Sequence, residues 1–137
     1  MSRRSLPKAQ GDAAESLFLH RAISLGLTVS KPWGDNSKYD FIVDNGRRLI
    51  RVQVRSVSLP QDDAFRVSTG CGNRSKIPYT PADIDLLAAY VEPHHAWYLI
   101  PVETFAPVTS IWLFPHRTSS RSHRFERFRE AWDLLKE

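Results

Sequence analysis

Within "YDFIVDNGRRLIRVQVRS", residues 39–56, three polar side chains stand where core residues could sit: Asp40, Gln53 and Arg55. Asn45-Gly46 in the middle is the signal for a two-residue type I′ hairpin turn, whose central residues both need positive φ. A two-residue loop pairs Asp44 with Arg47, Ile42 with Leu49 and Asp40 with Arg51. Paired residues share a face, as do alternate residues of one strand. One face then carries Phe41, Val43, Ile50, Val52 and Val54, an apolar set. The other carries Asp40, Arg51, Gln53 and Arg55. Asp40 and Gln53 become diagonal neighbours with Cβ atoms roughly 7 Å apart, close enough for their oxygens to reach one hard cation. Mg²⁺ suits such a site: it takes one or two carboxylates and fills its shell with water and phosphate oxygens. A further carboxylate would strengthen it, and Glu15, early in the opening helix, is the best candidate.

The same face has a plainer reading, a solvated surface with Asp40 and Arg51 as an ordinary cross-strand ion pair. Glu15 alone reads most simply as a surface acid favoured in a first helical turn. Arg55 adds charge and hydrogen bonds for a phosphate but cannot act as a base, being always protonated.

The elements that position these residues follow from periodicity. Ala14, Leu17, Phe18, Arg21 and Leu25 predict a helix over about 8–25, ended by Gly26. Residues 1–7 read as a loose basic arm. "LTVSKP" reads as a strand and "WGDNSK" as a loop in which Trp33 is the tryptophan best suited to a functional surface. The strands of the hairpin are expected at 38–44 and 47–57. "AFRVST" predicts a fourth strand and "GCGNRSK" a basic loop. "YTPADID" reads as a short helix start, with Thr80 capping, Pro81 at the first position and Asp83 three after the cap. "LLAAYV" and "AWYLIPV" predict antiparallel strands across "EPHH", and "SIWLFP" an edge strand. Phe125, Phe128, Trp132 and Leu135 predict a C-terminal helix over about 122–136. The result is one α/β domain over residues 1–137 with a mixed sheet and helices on it.

These strings resemble a family. A helix-borne Glu, an Asp opening a strand and an acid-or-amide-x-basic triplet on the next strand form the pattern of PD-(D/E)XK nucleases. "GDAAESLFLHRAISLGLTVSKPWGDNSKYDFIVDNGRRLIRVQVRS" is similar to the group I intron-associated, homing-endonuclease-like branch, which has "GDNSRYD" and "RVQVK" in these places. "YTPADIDLLAAYV", "HHAWYLIPVE" and "REAWDLL" extend the resemblance over nearly the whole chain. It implies a restriction-endonuclease-like core and hydrolysis of DNA phosphodiesters with Mg²⁺, or Mn²⁺ in its place. It assigns metal binding to Asp40, Gln53 and Glu15, and the catalytic lysine position to Arg55. Lys38 or Lys8 could stand in for that lysine. Arg47, Arg48, Arg51, Lys38, Arg74 and Lys76 are expected on the DNA backbone. A homodimer or larger assembly would serve a duplex.

Composition agrees with this outline. The net charge is +4, and arginine supplies 14 of the 19 basic residues, the type whose planar fork pairs with phosphate. They gather at Arg47, Arg48, Arg51 and Arg55, and again at Arg117, Arg121, Arg124, Arg127 and Arg129. With 42% hydrophobic and 25% charged residues, the chain reads as an ordinary globular protein. Its apolar runs are too short to cross a bilayer and its start lacks a secretory h-region. The single cysteine, Cys71, excludes an internal disulfide. A cytoplasmic enzyme is expected. Two functions stand side by side: a DNA endonuclease, and a catalytically weakened nuclease fold that holds DNA without cutting it, with Arg55 separating them. A plain structural or partner-binding domain is the third.

Overall fold

The structure, a computed structural model, describes residues 6–34, 36–72, 75–116 and 124–137. Helix α1 (Leu6–Ser24) opens the described chain, with Pro7 in its first turn, where a missing N–H costs nothing. It therefore takes in Leu6 and Pro7 of the expected arm; residues 1–5 lie outside the described residues. Gly26, at φ 84°, turns the chain out of the helix. The buried stripe is Ala14, Phe18 and Ala22, while Leu17 and Arg21 face solvent. This corrects the expected face. Two alanines one turn either side of Phe18 let the helix sit close to the sheet. Phe18 then fits among Phe41, Trp97 and Trp132, with ring centroids 5.5, 5.9 and 5.8 Å away.

In chain order the strands are β1 (Thr28–Ser30), β2 (Phe41–Asp44), β3 (Leu49–Val57), β4 (Phe65–Ser68), β5 (Gly70–Cys71), β6 (Ile77–Pro78), β7 (Leu86–Val91), β8 (Ala96–Pro101) and β9 (Ser110–Leu113). The central sheet runs β1-β2-β3-β7-β8, antiparallel throughout except for the parallel β3–β7 pair. Two small ribbons, β4–β9 and β5–β6, complete the strands. β7 is buried along its whole length because both faces of the sheet are covered. Leu86, Ala88 and Tyr90 face α1, and Leu87, Ala89 and Val91 face the β4–β9 ribbon.

Two further expectations are corrected. The hairpin loop has four residues rather than two, and the pairs are Asp44↔Leu49, Ile42↔Arg51 and Phe41↔Val52. Within the turn Gly46 has positive φ (86°) and Asn45 does not, so no type I′ turn forms. Asn45 is committed elsewhere. Its Nδ2 donates to the carbonyls of Leu135 and Glu137 at 3.0 and 3.1 Å, and its Oδ1 accepts the N–H groups of Arg47 and Arg48. The register slips by two residues, so each side chain keeps its face. Second, no α-helix spans the described part of the C-terminal segment, whose start (Ser122, with Arg117 and Arg121) lies outside the described residues. Two 3₁₀ turns, Glu126–Phe128 and Trp132–Leu135, stand there. Glu130 separates them at φ 54°. Its N–H donates to the Trp97 carbonyl (2.7 Å), and its carboxylate accepts from Trp97 N–H and from Trp132 Nε1. These tertiary bonds replace the helical ones. "YTPADID" makes the short turn expected, capped by Thr80 and Asp83. The Asp83 carboxylate accepts the Thr80 N–H (3.0 Å) and Thr80 Oγ1 accepts the Ala82 N–H (3.2 Å), after which β7 begins. None of the described helices is long and apolar enough to cross a membrane.

Candidate active site

Asp40, Gln53, Arg55 and Glu15 line one cleft of about 300 Å³, shared with Pro7, Gln10, Gly11, Val54 and Ser56. Its floor is the β2–β3 pair and its wall the first turns of α1. The Asp40 N–H donates to the Val52 carbonyl, and Asp40 Oδ2 accepts the Val54 N–H, each at 2.8 Å. Asp40 therefore lies against residues 52–54, beside Gln53. The expected Asp40–Arg51 pairing does not form, because the four-residue loop moves Arg51 opposite Ile42.

Charge is concentrated here by burial. Loss of water pushes the Asp40 carboxyl above the ordinary carboxylate range, and the neighbouring Glu15 charge adds to this. The Val54 N–H, Lys31 and Arg55 act the other way without cancelling it. Two carboxylates and an amide oxygen thus share a small cleft in which a negative charge is costly. A divalent cation is the natural complement of that donor set: all oxygen, incomplete, and open to water and phosphate. Among the described residues no three His, Cys, Asp or Glu side chains converge as a closed metal cluster. The cleft fits a cation whose shell the protein fills only in part.

Arg55 is held from behind. Its Nη2 donates to the Tyr79 hydroxyl at 2.6 Å and to the Gly70 carbonyl at 3.1 Å, with the guanidinium carbon 5.8 Å from the Tyr79 ring centroid. Its buried Nε has no acceptor among the described residues. Burial raises the Tyr79 hydroxyl above its ordinary pKa, so it stays neutral and accepts from the arginine.

The remaining expected residues lie apart. Arg51 bonds Asp85 through its backbone N–H (2.8 Å), Nε (3.1 Å) and Nη2 (3.0 Å), and its guanidinium also caps the Ala82 and Pro81 carbonyls. Burial pushes the Asp85 carboxyl up, but these bonds to Arg51 outweigh it and hold the carboxyl below its usual range. Arg47 and Arg48 sit at the hairpin tip, where Arg48 Nε donates to the Glu137 carbonyl (3.0 Å). Lys38 pairs with Asp83 at 3.3 Å rather than lining the cleft. Lys76 lines a separate cavity, and Arg74 lies outside the described residues. Lys8 lies on α1 but does not line the cleft.

Two residues at the site were not expected. Lys31 places Nζ 2.9 Å from Glu15 Oε1 and 5.1 Å from the Phe41 ring centroid. Its hydrogen bond to Glu15, with the charges of Glu15, Asp40 and Asp12, raises its pKa. The signal for Lys31 was parity: β1 pairs Val29 with Val43, and Lys31, two residues on and just past the strand, falls on the α1 side, where its exposed ammonium reaches Glu15. Tyr79 had no local signal, since it reaches Arg55 through the fold.

A family model described as PD-(D/E)XK endonuclease matches residues 6–135. Among solved structures the chain is similar to the bacterial homing endonuclease I-Ssp6803I, with a TM-score of 0.84 and 31% identity, covering 96% of this chain and 94% of that one. It is also similar to Hjc, a Holliday junction resolvase from the archaeal hyperthermophile Archaeoglobus fulgidus, with a TM-score of 0.49 and 15% identity over 77% of this chain and 87% of that one. No curated protein matches. The expected α/β core is thus present in the structure and in the solved chain similar to it over nearly its whole length.

Proposed function

The chain belongs to the PD-(D/E)XK endonuclease family, and on that premise we propose that it is a Mg²⁺-dependent endonuclease that hydrolyses DNA phosphodiesters. The observation that carries this reading is the cleft in which Asp40, Gln53 and Glu15 meet beside Arg55. Asp40, Gln53 and Glu15 would hold the cation, Mg²⁺ or Mn²⁺. When bound, such an ion polarises a phosphoryl oxygen and lowers the pKa of an attacking water. Arg55 faces the phosphate with a permanent positive charge, its plane fixed by Tyr79 and Gly70. Asp40, anchored on the Val54 N–H, orients the donor set. Residues 1–137 act as one nuclease domain in the cytoplasm. A homodimer or higher assembly presents two clefts to the two strands, as a homing-endonuclease-like function on duplex DNA requires.

The fixed guanidinium supports a second reading, in which the cleft holds DNA and metal but cuts slowly. Supercoiled plasmid incubated with Mg²⁺ or Mn²⁺ tests the first reading, with Asp40→Ala as control. Metal-dependent nicking that disappears in Asp40→Ala supports it. Nicking that survives in Asp40→Ala comes from a contaminant and removes that support. Salt-dependent DNA binding without nicking leaves the second reading in force.

A further inference from the structure

We propose that Arg66 and Lys76, with the hydroxyls of Thr109 and Ser110, form a phosphate-binding site separate from the metal cleft, and that its occupant is a backbone phosphate of the bound DNA. It extends the DNA-binding reading above. The site follows from the β4–β9 ribbon. Phe65, Val67, Ile111 and Leu113 point into the core, so Arg66 and Ser68 must point out, and the register sets Ser68 opposite Ser110. Together with Lys76, Thr109 and Gln61 they line a cavity of about 250 Å³, and no carboxylate lines it among the described residues.

Two features mark this cavity as a place for an oxyanion. The first is the state of its cations. Lys31, Lys38 and Arg51 are spent on carboxylates, and Arg48 and Arg124 on backbone carbonyls. The side chains of Arg66 and Lys76 have no hydrogen-bond, ion-pair or ring partner among the described residues. Two unspent cations beside the Thr109 and Ser110 hydroxyls and the Gln61 amide form a donor set that matches phosphate oxygens, and their positive charge repels a divalent cation. The second is its position. Ser68 Oγ donates to the Gly70 carbonyl at 3.3 Å, and Arg55 Nη2 donates to the same oxygen at 3.1 Å. One carbonyl therefore joins the cavity to the cleft, so a strand whose scissile phosphate meets Arg55 passes a neighbouring phosphate over Ser68 and Arg66. Such a contact positions the strand without reading its sequence.

Both cationic side chains are exposed, so Arg66→Gln, Lys76→Gln and the double variant keep the fold. DNA affinity is measured against salt for two unrelated duplexes. Losing one phosphate contact lowers the slope of log K against log salt by about 0.9 in the double variant and weakens both duplexes equally. Mn²⁺ affinity at the cleft stays unchanged. A double variant with the wild-type slope overturns the proposal. Should the wild type bind no DNA, the DNA reading itself fails, and titration with inorganic phosphate followed by amide NMR judges the cavity. Shifts at Ser68, Thr109 and Ser110 that vanish in the double variant keep a phosphate site; their absence removes it.

Discussion

Replacing Arg55 with lysine separates what the arginine does for the fold from what it does for the chemistry. The guanidinium donates to Tyr79 Oη at 2.6 Å and to Gly70 O at 3.1 Å, and leaves Nε buried without an acceptor. With the ammonium keeping the Gly70 bond, losing the Tyr79 bond costs about 1.5–3 kcal/mol, while removing an unsatisfied buried donor returns about 1–3 kcal/mol. Loss of the ring contact adds about 0.5–1 kcal/mol. These terms nearly cancel, so Arg55→Lys costs about 1 kcal/mol net and lowers Tm by roughly 3–6 °C. The chemistry moves the other way. A lysine has a compact, rotatable ammonium, no longer fixed by Tyr79 and free to hold the attacking water. Positioned proton-handling groups are worth about 10²–10⁴ in rate, so a gain of at least about ten-fold is expected. The assay is Mg²⁺-dependent plasmid nicking by wild type, Arg55→Lys and Asp40→Ala/Arg55→Lys, alongside thermal unfolding. Loss of nicking in Arg55→Lys with Tm near wild type would refute the reasoning, because Arg55 would then be the group the reaction uses. Equal rates in both would show that the arginine limits nothing.

Lys31→Met frees Glu15 from a counter-ion 2.9 Å away on an exposed face, a pair worth about 0.2–1 kcal/mol. Mn²⁺ binding should tighten about 1.5- to 5-fold by calorimetry, and weaker binding would deny Glu15 a place at the metal. Asp40→Asn and Asp85→Ala should show opposite pH signatures in denaturant unfolding. The Asp40 carboxyl is raised in the fold, so its full stability is present below 3.8 and lost as pH rises through the folded value; Asp40→Asn should be more stable than wild type at neutral pH, the gap closing in acid. The Asp85 carboxyl is lowered, so its stability is present above 3.8 and lost as pH falls through the folded value. With both side chains 30% exposed, Asp85→Ala should cost about 1–2 kcal/mol at neutral pH, and a loss that persists in acid would contradict the Arg51 assignment. Trp33 is fully exposed and Trp112, opposite Arg66, is partly so, while Trp97 and Trp132 are buried, so DNA quenching should arise from Trp33 and Trp112 and fall in Trp33→Phe. Quenching undiminished in Trp33→Phe would remove it from the DNA face; a stacked base is worth about 1–3 kcal/mol.

The sequence alone determined the faces of the hairpin. Strand parity depends on alternation, and a slip of two residues leaves it untouched, so Asp40, Gln53 and Arg55 were legible on one face although the loop length was not. The strands "LLAAYV" and "AWYLIPV" were legible for the same local reason, unbroken apolar runs of strand length. Tertiary structure decided what local preference could not. Asn45 favours a tight turn, yet the C-terminal carbonyls of Leu135 and Glu137 take its side chain and open the loop. The apolar spacing of the last segment favours a helix, yet Glu130 bonds to Trp97 and breaks it. Lys31 beside Glu15, Tyr79 behind Arg55 and Asp85 on Arg51 all join residues at least 16 positions apart. A charged or polar side chain carries no periodicity that names its partner. Only the packing of α1 on the sheet and the pairing of β7 with β3 bring those partners within hydrogen-bonding distance, and burial there sets the charge each one keeps.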